Sequence, residues 1–552
     1  MVATNNVKNA AILRLAGFRN TPNQNWQGPL SSVEYDLEGI RASLLDVDQP
    51  VYLVGEPGRL GVTRQGGMGN SEVGKAAGLP GYMMAQALPL QALGDPGFLS
   101  AYGTRFAYYG GSMANGISSE QMVIELGKAG LLGSYGAAGM APNRVEAAIQ
   151  RVQKELPEGP YAFNLINSPN ELALERRAVE LYLKYGVLLI EASAYLDITI
   201  ALVQYRAAGL SVNAAGQIEI KNRVIAKLSR KEVATLFMSP APDDILNQLV
   251  AEKKITDLQA RLARQVPMAD DVTVEADSGG HTDNRPLVCL LPTMLALRDE
   301  LQEKYLYDQA VRIGAAGGIS TPASALAAYM MGAAYIVTGS VNQACVESGA
   351  CDHTRKLLAQ ADMADVIMAP AADMFEMGVK VQLLKRGTLF PMRAQKLFEL
   401  YTHYNSIEEI PAAEREKLEK QVFKREMESV WQETVKFFEE RDPEQIKRAS
   451  SDPHRKMALV FRWYLGLSSR WSTSGEKGRE MDYQIWCGPA MGTFNDWTRG
   501  TYLAEPQNRK VVDVARHILT GCAYLYRLQS LKMQGLRVSP ALENYRPEKP
   551  LL

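Results

Sequence analysis

Cysteine is scarce in this chain: Cys289, Cys345, Cys351, Cys487 and Cys522 are all there are among 552 residues. An odd number, far apart except for Cys345 and Cys351, is the usage of a reducing compartment and offers no disulfide framework. His353 lies near that pair, but no second CxxC or HxxxH half-site exists to complete four ligands, so no metal is expected. A surplus of positive charge is also missing. Lys and Arg number 60 against 61 Asp and Glu, a formal charge of -1, which leaves no basic surface to neutralise a run of phosphates and argues against nucleic acid as a partner. Long uncharged apolar runs are absent too. The most apolar stretch, 187–203, carries Glu191 and Asp197, each costly in lipid, so it reads as a buried strand running into a helix and not as a membrane partner. The opening MVATNNVKNAAILRL has no basic region followed by an apolar stretch and a small-residue cleavage site, and a cytoplasmic protein is expected.

Three signatures of other enzyme classes are missing as well. No GxGxxG follows a first strand, which removes the mark of a doubly wound open sheet. The stretch from Gly69 to Ala76 nearly matches a P-loop, but Ala76 stands where a hydroxyl would hold magnesium, and it reads as a glycine-rich surface turn. No GxSxG pentapeptide supplies the nucleophile elbow that an acyltransferase needs.

What is present is a repeat. From about residue 100 to 345 a short apolar run, a turn bearing Gly, Ser or Asn, and an amphipathic stretch recur, as in βα units. The candidate strands are Arg105 to Tyr109, Leu131 to Ser134, Tyr161 to Leu165, Val187 to Glu191, Val224 to Leu228, Val272 to Ala276, Arg312 to Ala315 and Tyr335 to Thr338. Eight parallel strands predict an α/β fold of the (β/α)8 TIM-barrel type. Ser118-Ser-Glu-Gln121 reads as a capping box, and Ser320-Thr-Pro322 puts proline in a first helical turn. Leu174, Ala178, Leu181, Tyr182 and Tyr185 fall at helical spacing, the stripe a helix lays on a barrel. Around the barrel, assigned to 96–390, the sequence predicts a small N-terminal module over 1–95, with VYLVG as a strand. A helical insertion subdomain is predicted over 391–485, and a segment over 486–552 that packs back on the barrel. In the insertion, Leu418, Val422, Met427, Trp431, Val435 and Phe438 line one face of a long charged helix. Residues 486–502 read as a structured loop and Asn508 to Leu531 as a final helix.

Active sites of such barrels lie at the C-terminal ends of the strands, with phosphate held after the seventh and eighth. There the chain places Gly317 and Gly318 ahead of a capped helix, and Gly339 with Ser340, bare amides suited to one phosphate cup. After the sixth strand comes Glu275-Ala-Asp-Ser278-Gly279-Gly280-His281-Thr-Asp283, the most polar cluster of the barrel. The His281 imidazole suits donation to a carbonyl oxygen, proton shuttling or substrate positioning. Gly110, Gly111, Asn164 and Lys227 stand at other strand ends. An Asn and a Lys in the barrel mouth suit a flavin ring, whose carbonyl oxygens and N1 region gain negative charge on reduction. An unpaired buried lysine is costly, so Lys227 is expected to face a ligand.

At these residues the chain resembles the FMN barrel family of nitronate monooxygenases and FabK-type enoyl-acyl-carrier-protein reductases, with FNL, GGH, AAGGIS and VTGS in the family's order. The longer resemblance is to PfaD-type proteins, separately encoded enoyl reductases of polyketide and polyunsaturated fatty acid synthases. It rests on ELGKAGLLGSYGAAGM, NLINSP, EADSGGHTDNRPL, TGSVNQACVESG and WCGPAMGTFNDW. The first-strand loop YYGGSMANGIS departs from the Ala-Pro-Met of nitronate monooxygenases, so flavin contacts do not transfer strictly there. The resemblance implies FMN, with Gly317, Gly318, Gly339 and Ser340 on its phosphate and Ser278, Gly279 and Gly280 beside it. It also implies NADPH as hydride donor, an enoyl substrate on an acyl carrier protein of such a synthase, and His281 as the catalytic residue, with Ser278 and Asp283 supporting it. A homodimer is left open. Nitronate oxidation, and less so an acyltransferase-like or docking subunit, are the alternatives.

Overall fold

The structure is a computed structural model that describes residues 12–15, 24–56, 58–69, 78–167 and 172–551. The P-loop-like stretch after Gly69, and Ser168 and Pro169 of NLINSP, lie outside the described residues.

Eight parallel strands close into a barrel: β1 (Tyr108–Gly110), β2 (Leu132–Tyr135), β3 (Ala162–Ile166), β4 (Leu189–Ser193), β5 (Arg223–Leu228), β6 (Asp271–Glu275), β7 (Arg312–Ala316) and β8 (Ile336–Thr338). Each overlaps a predicted strand, in the predicted order. Covered by helices outside and by side chains inside, such strands are apolar on both faces, and every residue of β4 and β7 is buried. The N-terminal end of the barrel is sealed. Helix Pro96–Tyr102 lies across it, with Phe98 stacked on Tyr335 at 4.3 Å. Arg312 Nε and Nη2 each donate to Asp271 at 2.7 Å, and Tyr102 OH donates to the same carboxylate. The opposite end is left for function.

Of the flanking helices, α1 (Glu120–Lys128) is capped by Ser119, which accepts from Met122 N, and not by Ser118 as the sequence pattern predicted. Ser118 instead holds the preceding turn: its hydroxyl donates to Gly111 O and accepts from Met113 N. In α2 (Leu172–Tyr185) Val179 and Tyr182 are buried against the barrel, while Leu174, Ala178 and Leu181 face a cavity. In α3 (Pro322–Met330) Thr321 caps and Pro322 opens the first turn, as predicted.

Between barrel and insertion lies an antiparallel hairpin that periodicity did not reveal, β9 (Val366–Pro370) and β10 (Lys380–Leu384). On its other edge β10 pairs with the two-residue strand Gly280–His281. The helical region follows as α4 (Phe390–His403), α5 (Ala412–Leu418), α6 (Met427–Arg441), α7 (Pro443–Ser451) and α8 (Pro453–Ser474). The single long helix expected here is broken. A π-turn over Glu419–Phe423 ends at Lys424, whose φ of 58° is left-handed. Burial explains the break, because the wide turn keeps both Val422 and Phe423 inside and lets Lys424 reach Asp482 at 3.3 Å. Asp482 is the buried hub of the region. It also accepts from Arg393, from Arg479 at 3.1 Å and from Tyr464 OH at 2.9 Å.

The segment expected as a loop after Trp486 contains α9 (Ala490–Thr498). The final helix, α10 (Val511–Met533), packs on α3 and reaches the N-terminal module, a five-stranded antiparallel sheet in the order Arg59–Thr63, Val51–Glu56, Leu79–Ala85, Gln24–Gln27, Gly67–Gly69. Arg527 of α10 donates to Leu44 O at 3.0 Å and to Asp46 O and Gln49 O at 2.6 Å. Its burial lowers its pKa to about 10. Among the described residues no helix is long and apolar enough to cross a membrane.

Removing one partner of a buried ion pair leaves an uncompensated charge. Asp271→Ala is therefore expected to destabilise the protein by about 3–5 kcal/mol, read as a lower denaturant midpoint. A midpoint within error of the parent would show that the Asp271–Arg312 pair does not hold the barrel floor.

Candidate active site

A cavity of about 1060 Å³ opens at the C-terminal ends of the strands. Its walls are barrel strand ends, α2, the β9–β10 loop and the facing sides of α6 and α8, so barrel and helical region enclose it together. Of the residues singled out from the sequence, Asn164, Lys227, Glu275, Gly279, Gly280, His281 and Asp283 line it.

Lys227, on β5, faces the cavity and also has two carboxylate partners that the sequence does not reveal. Its Nζ lies 3.5 Å from Glu191 Oε1 on β4 and 3.5 Å from Glu275 Oε1 on β6. Burial works to lower its pKa, but the two carboxylates outweigh it and hold the ammonium above its ordinary range. Glu191, fully buried, also accepts from Ser112 N at 3.0 Å, Ser112 Oγ at 2.8 Å and Tyr109 OH, which binds the β1 loop to β4. Asn164 Nδ2 donates to Glu191 O at 3.1 Å and to Ser193 Oγ at 2.8 Å. The sequence reading noted Glu191 only as a charge in an apolar run. That anomaly was the available signal, since a buried carboxylate requires partners.

His281 sits at the cavity wall with its backbone paired to β10, Gly280 opposite Gln382 and His281 opposite Val381. The Gln382 side chain clamps the preceding turn, donating to Asp277 Oδ1 at 2.7 Å and Ser278 O at 2.8 Å. Nε2 of His281 lies 3.2 Å from Asp373 Oδ1, in the β9–β10 loop. Desolvation pulls the imidazole pKa down, yet Asp373 and then Glu275 prevail and raise it above the usual histidine value. Asp373, half-buried, is itself lowered, held down by His281 against its partial desolvation. Sequence reasoning missed Asp373, because 92 residues of chain separate it from His281 and nothing local marks it. The two residues expected beside His281 are engaged elsewhere. Ser278 Oγ donates to Glu275 Oε1 at 3.3 Å, and Asp283 accepts from Arg230 Nε and Nη2 at 3.0 Å and from Ser229 Oγ at 2.6 Å.

The predicted phosphate residues occupy the adjoining arc of the rim, on the paired neighbours β7 and β8. Gly317 and Gly318 have φ of 83° and 75°, a conformation other residues adopt only at a cost. A Cβ on Gly318 or Gly339 would meet nothing within 4 Å, and the buried Ser320 Oγ has no hydrogen-bond partner among the described residues. Ser340 Oγ accepts from Gly488 N at 3.0 Å, leaving its own O–H free to donate. Gly279 joins this arc to the cavity. A Cβ there would lie 2.8 Å from Cys487 N, so the chain after Trp486 closes directly on the GGH turn. Gly110 and Gly111 serve packing, their hydrogens directed at Leu126 of α1 and at Val337 of β8.

Residues 107–397 match the nitronate monooxygenase family, 26–87 the N-terminal domain of the fatty acid synthase protein PfaD, and 404–483 the inserted helical domain of [acyl-carrier-protein] S-malonyltransferase. The chain is 48% identical over 514 residues to a polyunsaturated fatty acid synthase component of Thraustochytrium sp., covering 92% of this chain and 34% of that protein. It is 45% identical over 444 residues to polyketide biosynthesis protein PksE of Bacillus subtilis, covering 80% of this chain and 58% of the relative. It thus spans about a third and somewhat over half of these two relatives. The enoyl reductase domain of MlnA, from the macrolactin cluster of Bacillus amyloliquefaciens, superposes with a TM-score of 0.76 at 37% identity, over 81% of this chain and 100% of that domain. With its barrel and its N-terminal module both matched, the chain belongs to the nitronate monooxygenase family and, within it, to the PfaD-type proteins.

Proposed function

We propose that this protein is a cytoplasmic FMN-dependent enoyl reductase that reduces 2-enoyl thioesters on an acyl carrier protein with NADPH, acting in trans for a polyketide or polyunsaturated fatty acid synthase. The observation that carries the reading is His281, held by Asp373 at the wall of a barrel-mouth cavity next to an arc of open glycines. The 37% identity to the enoyl reductase domain of MlnA supports it.

The rim residues fit FMN. Gly317, Gly318, Gly339 and Ser340 would hold the phosphate, with the partnerless Ser320 hydroxyl as a spare donor. Asn164 and Lys227 would hold the ring edge, and Ser278, Gly279 and Gly280 would flank it. When bound there, FMN supplies the hydride relay from NADPH to the β-carbon of the enoyl group. The chain's own contribution is a proton and an electrostatic surround. Asp373 engages Nε2 of His281, which leaves Nδ1 to donate to the α-carbon, or to the thioester oxygen as it becomes enolate-like. Apolar side chains of the helical region, including Phe437, Phe438 and Leu459, line the far side of the cavity and suit an acyl chain.

Nitronate oxidation is the second reading, favoured by the family match over 107–397. Oxygen uptake with a nitroalkane, exceeding the rate of enoyl reduction, would establish it; no such uptake is expected.

His281→Ala is expected to slow reoxidation of the reduced flavin by an enoyl thioester about 10²–10⁴-fold and its reduction by NADPH far less. Equal slowing of both phases in stopped flow would remove His281 from its role. Because the protonated imidazole is the donor, reoxidation should hold at low pH and fall as pH rises through a pKa above the ordinary histidine value of about 6.5. Gly339→Val fills the open cup and is expected to strip FMN from the purified protein; a full complement of flavin in that variant would refute the phosphate assignment.

A further inference from the structure

The β9–β10 loop that reaches His281 packs on the helical side of the molecule. Phe375, two residues after Asp373, is fully buried, with its ring 5.6 Å from Phe398 and 5.1 Å from Tyr401 of α4 and 6.4 Å from Phe461 of α8. Glu376 accepts from Arg462 Nη1 of α8 at 3.2 Å. One ion pair and one aromatic cluster therefore fix the loop to α4 and α8, while β10 on its other flank is zipped to Gly280 and His281. The GGH turn and the β9–β10 loop are held against each other from both sides, and the contact between them is His281 Nε2 to Asp373 Oδ1 at 3.2 Å.

We infer that Asp373, in a loop tied to the helices α4 and α8 on one flank and to the GGH turn on the other, is the positioning residue that orients the His281 imidazole and holds its proton for transfer to the substrate. The inference rests on the enoyl-reductase reading. The groups facing His281 are Asp373 from the loop, Glu275 from β6 and Lys227 from β5. Lys227 opposes the imidazolium, but it is shared between Glu191 and Glu275. Behind Asp373 stands Arg462, which helps keep that carboxylate ionised. With the Asp373 carboxylate 3.2 Å from Nε2, the proton offered to the substrate is the one on Nδ1. In the step served, the alkene π bond breaks, the β-carbon gains the hydride that NADPH gives up on oxidation, and the α-carbon gains the Nδ1 proton. The imidazole is left neutral and takes its next proton from solvent. The helical region thus helps to fix the loop that carries Asp373 as well as supplying a wall for the acyl chain.

The test uses FMN-loaded protein with ¹⁵N-labelled histidine. The chain has five histidines, so His281→Gln assigns the signal. His281 is expected to titrate above the ordinary histidine value, to drop by about one pH unit or more in Asp373→Asn, and to recover in large part in Asp373→Glu. The pH profile of flavin reoxidation by crotonyl-pantetheine should move in the same direction by a similar amount. Identical His281 titration in wild type and Asp373→Asn would overturn the inference, as would an Asp373→Glu variant that behaves like Asp373→Asn while its other histidine signals stay unchanged. If the titration shifts as expected but no enoyl thioester reoxidises the flavin at any pH, the enoyl-reductase reading fails and the proton transfer with it.

Discussion

Sealing one end of a closed barrel decides where the chemistry sits. With Arg312 and Asp271 paired inside the N-terminal end and Phe98 stacked on Tyr335, that end is filled by buried side chains. Backbone groups in the strands are spent on the ladder, so free amides remain only where strands give way to turns. At the open end those turns carry glycine after β6, β7 and β8, and polar side chains on β3, β4, β5 and β6 gather around the mouth.

The mouth is also where charge is buried, and the pairing there is uneven. Two carboxylates, Glu191 and Glu275, share one ammonium, Lys227. Taken alone, such a set is weak support for stability, since desolvating ions consumes most of what their attraction returns. Its reach extends to His281, where Asp373 and then Glu275 favour the imidazolium against burial and against Lys227. Ser112, Tyr109 and the Asn164 amide complete the partners of β4 and keep these groups in one arrangement.

The parts outside the barrel converge on the same rim. Gln382 of β10 holds the turn before His281, Gly488 donates to Ser340, and Cys487 presses on Gly279. Helix α10 then carries the chain across α3 to the N-terminal module, where Arg527 donates to the carbonyls of Leu44, Asp46 and Gln49. The hairpin, the C-terminal segment and the helical region thus complete the rim.

Local sequence was enough for the eight strands, because each is a short β-branched or apolar run ended by a turn residue, and that signal needs no distant partner. It was enough as well for the proline-opened helix at Pro322, for His281 as the polar outlier of a glycine turn, and for glycines at the ends of β7 and β8. It did not reveal the partners of Lys227, because an isolated lysine in an apolar strand says nothing about carboxylates two neighbouring strands will bring. It predicted one long helix where burial of both Val422 and Phe423 and the pull of Asp482 on Lys424 impose a break. Asp373 lay beyond it altogether: the hairpin strands are short and half-exposed, and their role follows from pairing with Gly280 and His281. The sequence by itself determined the barrel and the end that carries chemistry, since periodicity and turn residues are local. Only tertiary structure decided which charges meet at that end, because ion pairs between strands, hairpin and helices depend on distances that chain position does not encode.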